Sequence, residues 1–132
     1  MNNEFSPYEQ ALELKKLGFN EECLAFYNST FRTPNELLYP QYGGEVGNWN
    51  VENHLISAPL YQQAFRWFRE KYKLHTEIRT YTEKYFTIII QECKDIVKYI
   101  EYGGIDLKFN TYEEAELACL KKLIEIVESK SE

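Results

Sequence analysis

Residues 110–120 have the sequence NTYEEAELACL, and they contain the start signal of the last predicted helix. Thr111 and Glu114 have the spacing of a capping box, in which each side chain accepts a hydrogen bond from a backbone N–H that the first turn leaves free. After them, apolar residues recur every three or four positions, which predicts a helix with one broad buried face. The residues of that face are Leu117, Leu120, Leu123, Ile124 and Val127.

Three further segments have the apolar spacing of helices. The first covers about 7–17 and ends before Gly18, which is typical of a left-handed C-cap. The second begins at Ser57-Ala58-Pro59 and continues to about residue 72, with a strongly amphipathic pattern. The third is a short helix over 93–102, which the spacing favours over a strand.

Short strands and one long loop complete the predicted organisation. The segment 29–58 contains prolines, glycines and asparagines without sustained periodicity, which predicts a long irregular loop with a short hairpin near 37–42. The pattern as a whole predicts one α+β domain over 1–132, with two layers and an antiparallel sheet of three to four strands that has the helices on one face. The predicted strands are 23–27, 74–82, 85–92 and 105–109.

The balance of charged residues indicates which kinds of molecule the protein could bind. The 132 residues include 15 Lys and Arg against 21 Asp and Glu, for a net charge of −6. This balance disfavours a general affinity for nucleic acid or anionic membranes and favours a protein or a small molecule as the partner. The sequence has no basic region followed by an apolar run and no long apolar segment, so we expect a cytoplasmic protein of its host cell, without a signal peptide or membrane span.

The residues that usually carry catalysis are sparse. The chain has three cysteines, an odd number, at Cys23, Cys93 and Cys119. They lack CxxC spacing and each lies beside apolar residues. This pattern predicts reduced thiols packed as small hydrophobes rather than metal ligands or nucleophiles. The sequence contains no HExxH, GxSxG, Walker A or GxGxxG motif. We therefore expect a non-enzymatic protein without a metal or cofactor. An enzyme would need His54 or a cysteine beside a carboxylate.

Three segments resemble recurrent stretches of small uncharacterised phage and prophage proteins. They are Leu14-Lys15-Lys16-Leu17-Gly18-Phe19, the stretch from Ala58 to Tyr72, and Thr111-Tyr112-Glu113-Glu114-Ala115. This resemblance spans most of the chain. It implies a phage or mobile-element origin but no particular activity.

The order of helix, three strands and helix over 59–127 resembles the topology of the double-stranded-RNA-binding domain. In that family the last helix presents lysines to phosphates across the groove of the RNA. The matching positions here are Tyr112, Glu113, Glu114 and Glu116. The resemblance therefore implies a shared layout, and the acidic helix start predicts no binding of double-stranded RNA.

The candidate partner-binding residues are aromatic, apolar or charged side chains. Trp49 in the irregular loop is either a plug that pins the loop to the core or an exposed anchor for a partner. The solvent side of the predicted hairpin carries Arg79, Tyr81, Tyr85 and Ile89, and the chain has 11 tyrosines. Tyrosine is enriched at protein interfaces. Either this side of the hairpin is open for association, or the loop 29–58 folds across it and buries it. We predict the first, and with it a protein-interaction module that binds a protein partner or a second copy of itself.

A small-ligand site is the alternative prediction. It would bind a nucleotide-like molecule with the loop 42–54 and the second helix. The residues predicted for it are His54, Arg66 and Arg69.

Overall fold

The computed structural model describes residues 2–40, 45–80, 83–93, 99–103 and 108–130 of the chain. Within these ranges the protein has three α-helices and five strands, which confirms the predicted α+β class. The strands form two antiparallel sheets instead of one. The chain divides into two compact units, an N-terminal unit Met1–Tyr61 and a C-terminal unit Gln62–Glu132. The single domain over 1–132 stays a prediction.

The N-terminal unit is built from one helix and one strand pair. Strand β1 pairs antiparallel with strand β2, so that Tyr27 lies opposite Ile56. Helix α1 packs against β2. Six buried apolar residues of this unit pack together in one cluster: Phe5, Ala11, Ala25, Tyr27, Ile56 and Ala58. The elements are α1 (Tyr8–Lys16), β1 (Ala25–Asn28) and β2 (Leu55–Ala58).

The end of α1 has the predicted left-handed cap. Gly18 has a φ of 94°, a conformation that glycine adopts without steric cost. The N–H of Phe19 donates to the carbonyl of Leu14 at 3.0 Å, and the N–H of Gly18 donates to the carbonyl of Lys15 at 3.0 Å. These bonds satisfy carbonyls that the helix leaves free and direct the buried ring of Phe19 back toward the helix.

Strand β2 corrects two predictions. The segment 29–58 is not irregular throughout, because Leu55–Ala58 pairs with β1. Ser57 and Ala58 are buried strand residues and do not begin the second helix. A four-residue strand is too short to show periodicity, and its partner is some thirty residues away in the sequence, so neither signal was visible locally. Of the hairpin predicted near 37–42, Leu38 forms an isolated bridge with Phe26, and residues 41 and 42 lie outside the described ranges.

The C-terminal unit contains two helices and a sheet. Helix α3 packs against β3 and β4. The amphipathic prediction for α2 is confirmed, since Ala64, Phe65, Trp67 and Phe68 are buried. Lys73, with a φ of 60°, turns the chain directly from α2 into β3. The elements are α2 (Tyr61–Tyr72), β3 (Leu74–Thr80), β4 (Phe86–Cys93), β5 (Tyr99–Gly103) and α3 (Tyr112–Lys130).

The helix predicted over 93–102 is wrong in the described residues. Cys93 ends β4, and Tyr99–Gly103 forms β5, which pairs antiparallel with β4. The backbone groups of this segment thus find partners across the sheet, although the apolar spacing imitates a helix. The strand predicted over 105–109 falls mostly outside the described ranges. Its last residue, Phe109, forms an isolated bridge with Phe86.

The capping signal of α3 is confirmed. The N–H of Glu114 donates to the hydroxyl of Thr111 at 3.1 Å. The Glu114 carboxylate accepts in return from the backbone N–H of Asn110 at 3.2 Å, one residue before the position of a standard capping box. The predicted buried face is present as well, with Leu120, Leu123, Ile124 and Val127 buried and Leu117 half-buried.

We predict that Leu120→Ala and Phe68→Ala each lower the free energy of unfolding by about 2–5 kcal/mol. Both side chains are fully buried, so truncation leaves a cavity where close-packed atoms stood. Urea denaturation followed by circular dichroism measures the change. Lys121→Ala, on the exposed side of α3, is the control and should change stability by less than about 0.5 kcal/mol. Equal midpoints for all three variants would contradict this assignment of the core.

Candidate functional site

One side of the β3–β4 pair in the C-terminal unit carries mostly polar side chains. Residues directly opposite each other in an antiparallel pair share a face, and the register places His75 opposite Gln91 and Glu77 opposite Ile89. On this side His75, Glu77, Arg79 and Gln91 are exposed and Ile89 is half-buried, whereas Thr87, which lies opposite Arg79, is buried. We call the exposed and half-buried members of this side the outer face: His75, Glu77, Arg79, Ile89 and Gln91. The opposite face is buried through Leu74, Ile88 and Ile90.

Glu77 and Arg79 form a two-point ion pair on the outer face. The Nε of Arg79 donates to Oε1 of Glu77 at 3.0 Å, and Nη2 donates to Oε2 at 3.0 Å. The hydrogen bond from Arg79 is the main cause that lowers the pKa of the Glu77 carboxyl below its ordinary value. Both side chains are more than half exposed, so the pair contributes little to stability. It does fix the position of two opposite charges on the surface.

The predicted partner-binding residues of this region are only partly described. Ile89 lies on the outer face beside Glu77. Tyr85 directly precedes β4 and is half-buried. Arg79 is exposed, two residues after Glu77 on β3. Tyr81 lies outside the described residues.

Trp49 has contacts that pin the segment 45–58 to β1. The indole N–H donates to the carbonyl of Cys23 at 3.0 Å, and its ring lies 4.6 Å from that of Phe26. Its backbone N–H donates to the hydroxyl of the buried Ser57 at 3.0 Å. These are the contacts of a plug, and the side chain remains half-buried. A role for Trp49 as a partner anchor stays a prediction.

The polar side chains near Trp49 hold irregular backbone together, in a network that no sequence pattern predicts. The carboxamide of Asn50 accepts from the N–H of Ser57 at 2.8 Å and donates to the carbonyl of Phe19 at 2.9 Å. The ammonium of Lys15 donates to the carbonyls of Glu52, Asn53 and Leu55 at 2.7, 3.2 and 2.6 Å. Partial burial lowers the pKa of Lys15 from its ordinary value. Several backbone groups of the segment therefore bind side chains in place of other backbone groups.

A shallow cleft of about 300 Å³ opens beside this network. Two of its lining residues, Lys15 and Asn50, already bind backbone carbonyls. Their occupied donors indicate that they hold the segment in place. The cleft is lined by Lys15, Gly18, Phe19, Asn20, Asn48, Asn50 and Val51.

The residues predicted for a nucleotide-like ligand lie in two different units. His54 is exposed in the N-terminal unit, and its backbone carbonyl accepts from the N–H and hydroxyl of Ser29. It is not among the residues that line the cleft. Arg66 and Arg69 are exposed one turn apart on α2 in the C-terminal unit. The ligand site stays a prediction.

The described thiols lie in apolar surroundings. Cys23 and Cys119 are buried and free of disulfides, in agreement with the prediction of packed thiols. Burial, with a smaller contribution from Glu116, raises the pKa of the Cys119 thiol to about 12, which keeps it protonated and unreactive near neutral pH. Among the described residues, His, Cys, Asp and Glu side chains form no group of three or more that could hold a metal ion.

One buried charge was not anticipated from the sequence. Glu92 on the inner side of β4 is nearly inaccessible to solvent and forms an ion pair with Lys130 in the last turn of α3. A buried carboxylate is stable only when it is paired or hydrogen-bonded. The pair therefore fixes the end of α3 on the sheet. In the sequence, Glu92 has the same parity as the inward residues Ile88 and Ile90 of β4. This alternation was the one sequence signal that Glu92 points inward.

Comparison with protein-family models, with curated protein sequences and with solved structures found no significant match. No helix in the described ranges is both long and apolar enough to cross a membrane.

We predict that the pKa of Glu77 rises toward its ordinary value in the variant Arg79→Gln, because the charged hydrogen bond is lost. In the parent, the folded-state pKa lies below the unfolded value. The pair thus stabilises the fold above the unfolded pKa, and this contribution disappears as the pH falls through the folded pKa. A carboxyl-carbon NMR titration of both proteins measures the change. Identical Glu77 titrations would contradict the ion pair.

We also predict that Asn50→Ala destabilises the protein by about 1–3 kcal/mol, because it leaves the buried N–H of Ser57 without its acceptor. Asn53→Ala is the matched control. The Asn53 side chain is exposed and only its backbone carbonyl, which alanine keeps, binds Lys15. Chemical denaturation should show a lower free energy of unfolding for Asn50→Ala than for Asn53→Ala. Equal losses of stability would mean that the Asn50 carboxamide does not hold the segment.

Proposed function

We propose that this protein is a non-enzymatic interaction module that binds a protein partner through the outer face. The observation that carries the proposal is the arrangement of Ile89 among exposed charged and polar side chains, with a fixed Glu77–Arg79 pair beside it. Protein interfaces commonly combine an apolar centre with a polar rim that fixes orientation. In this proposal the C-terminal unit has two layers, and α3 covers the face opposite the outer face.

The exposed chemistry also supports a protein over other partners. Arg79 and the half-buried Tyr85 are residue types that supply much of the binding energy in protein interfaces. The net charge of −6 opposes phosphate-rich partners. The proposed setting is the cytoplasm of a host cell, with a phage or mobile-element origin.

The proposal is tested by capturing partners from an extract of the cell that produces the protein. The parent should recover a specific protein, and Ile89→Glu should lose it because a carboxylate is placed at the apolar centre. Tyr85→Glu should weaken the recovery in the same way. Lys121→Glu places the same residue on the exposed side of α3 and should leave the recovery unchanged.

Two results would contradict the proposal. One is equal recovery by the parent and by a folded Ile89→Glu protein. The other is the absence of any protein whose recovery exceeds that of a bare matrix. Melting curves of each variant show whether a loss of recovery comes from unfolding.

A second expectation is that the protein does not bind double-stranded RNA tightly, despite the layout of its C-terminal unit. Glu113 and Glu114 are exposed in the first turn of α3, where a lysine would be needed to contact phosphate. A gel-shift assay at physiological salt should show no complex at submicromolar protein. A tight complex that weakens steeply with salt would overturn this expectation.

A further inference from the structure

Strand β3 is the terminal strand of its sheet. It pairs with β4 on one side, and the described residues provide no strand on the other side. In an antiparallel sheet, alternate residues of a terminal strand direct their N–H and C=O groups away from the sheet. Such an edge accepts a further strand when the side chains permit it.

The sequence of β3 is self-complementary. Residues 76–80 read Thr-Glu-Ile-Arg-Thr, so the charges are opposite and the other residues are identical on the two sides of Ile78. When two copies of this strand run antiparallel with Ile78 at the centre, Glu77 of each copy lies opposite Arg79 of the other. Thr76 lies opposite Thr80, and the two Ile78 side chains meet. Opposite charges, threonine pairs and apolar pairs are all favourable across an antiparallel ladder.

We infer that β3 pairs antiparallel with β3 of a second copy of this chain, in the register centred on Ile78, and so forms a homodimer with one continuous sheet. Glu77 and Arg79 are exposed in the single chain, where they pair with each other. On pairing, each carboxylate gains the guanidinium of the second copy as a neighbour. This inference concerns the edge of the sheet and does not depend on a partner for the outer face.

The charges also select the register. Directly opposite residues share a face, so only registers that match odd with odd positions keep the buried face continuous. Centring the pair on Glu77 places two carboxylates opposite each other, and centring it on Arg79 places two guanidinium groups opposite each other. Centring it on Thr76 places Arg79 opposite Lys73. Only the register centred on Ile78 pairs both charges favourably, which gives the association its specificity.

The inference is tested on the full chain by sedimentation equilibrium and native mass spectrometry. The parent should form a dimer. Arg79→Glu and Glu77→Arg should each raise the dimer dissociation constant by at least about tenfold, because two pairs of like charges then face each other. Lys121→Glu changes the net charge as Arg79→Glu does, away from β3, and should dimerise like the parent.

A mixture of the two single variants separates intermolecular pairing from loss of the pair within each chain. Each variant alone has two like charges at positions 77 and 79 and lacks its internal ion pair. Mixed in equal amounts, the variants present opposite charges at both cross-strand positions, so a heterodimer should form with affinity close to that of the parent. The double variant Glu77→Arg with Arg79→Glu should recover the homodimer.

Three results would overturn the inference. The first is a parent that stays monomeric from low micromolar concentration to its solubility limit. The second is an Arg79→Glu protein that dimerises as tightly as the parent. The third is a mixture of the two folded single variants that forms no heterodimer. Circular dichroism and melting curves establish that each variant is folded. If Ile89→Glu loses the captured partner but still dimerises, the outer face binds the partner and the β3 edge forms the dimer independently of it.

Discussion

The fold of the N-terminal unit depends on side chains that form hydrogen bonds with backbone N–H and C=O groups. Its segment 45–58 has only one short strand, so most of its N–H and C=O groups cannot find partners in a regular ladder. Asn50 joins Phe19 to Ser57, and Lys15 donates to the carbonyls of Glu52, Asn53 and Leu55. Without these bonds, the strand β2 would lose the support that places it beside β1.

Two buried hydroxyl groups extend the same constraint to the core of this unit. Ser6 donates to the carbonyl of Pro59 at 2.9 Å, and Tyr27 donates to the carbonyl of Ser6 at 2.8 Å. Burial, with a further contribution from Tyr39, raises the pKa of Tyr27 to about 12, so the phenol remains a hydrogen-bond donor at neutral pH. Apolar burial supplies the main stabilisation of the cluster, and these bonds remove the cost of burying its polar groups.

In the C-terminal unit, helices and strands supply most of the backbone hydrogen bonds. Its side chains are mostly apolar on one face of the sheet and mostly polar on the other. One side of β3 and β4 is buried with α3 packed on these strands, while the outer face holds fixed charges around Ile89. The alternation that produces the buried core thus also produces the surface proposed to bind. The charged positions at 77 and 79 belong to both proposed surfaces, because a residue on a terminal strand lies on a face and beside an edge at once.

The sequence by itself determined the elements whose signals are local. The capping box and apolar spacing predicted α3, Gly18 predicted the end of α1, and the alternation from Leu74 predicted the exposed side of β3. Each of these depends on residues within about two turns of one another. The alternation therefore also predicts the outer-face positions of Arg79 and Ile89.

Only the tertiary structure decided the strands and contacts that join distant residues. β2 is defined by its pairing with β1, and β5 by its pairing with β4, whereas their short sequences fit a loop or a helix equally well. The bonds of Asn50 and the ion pair of Glu92 with Lys130 likewise connect residues that show no relation in the sequence. The hydrogen-bond partners of these residues lie far away in the sequence. Local secondary-structure propensity does not indicate which distant residue the partner is.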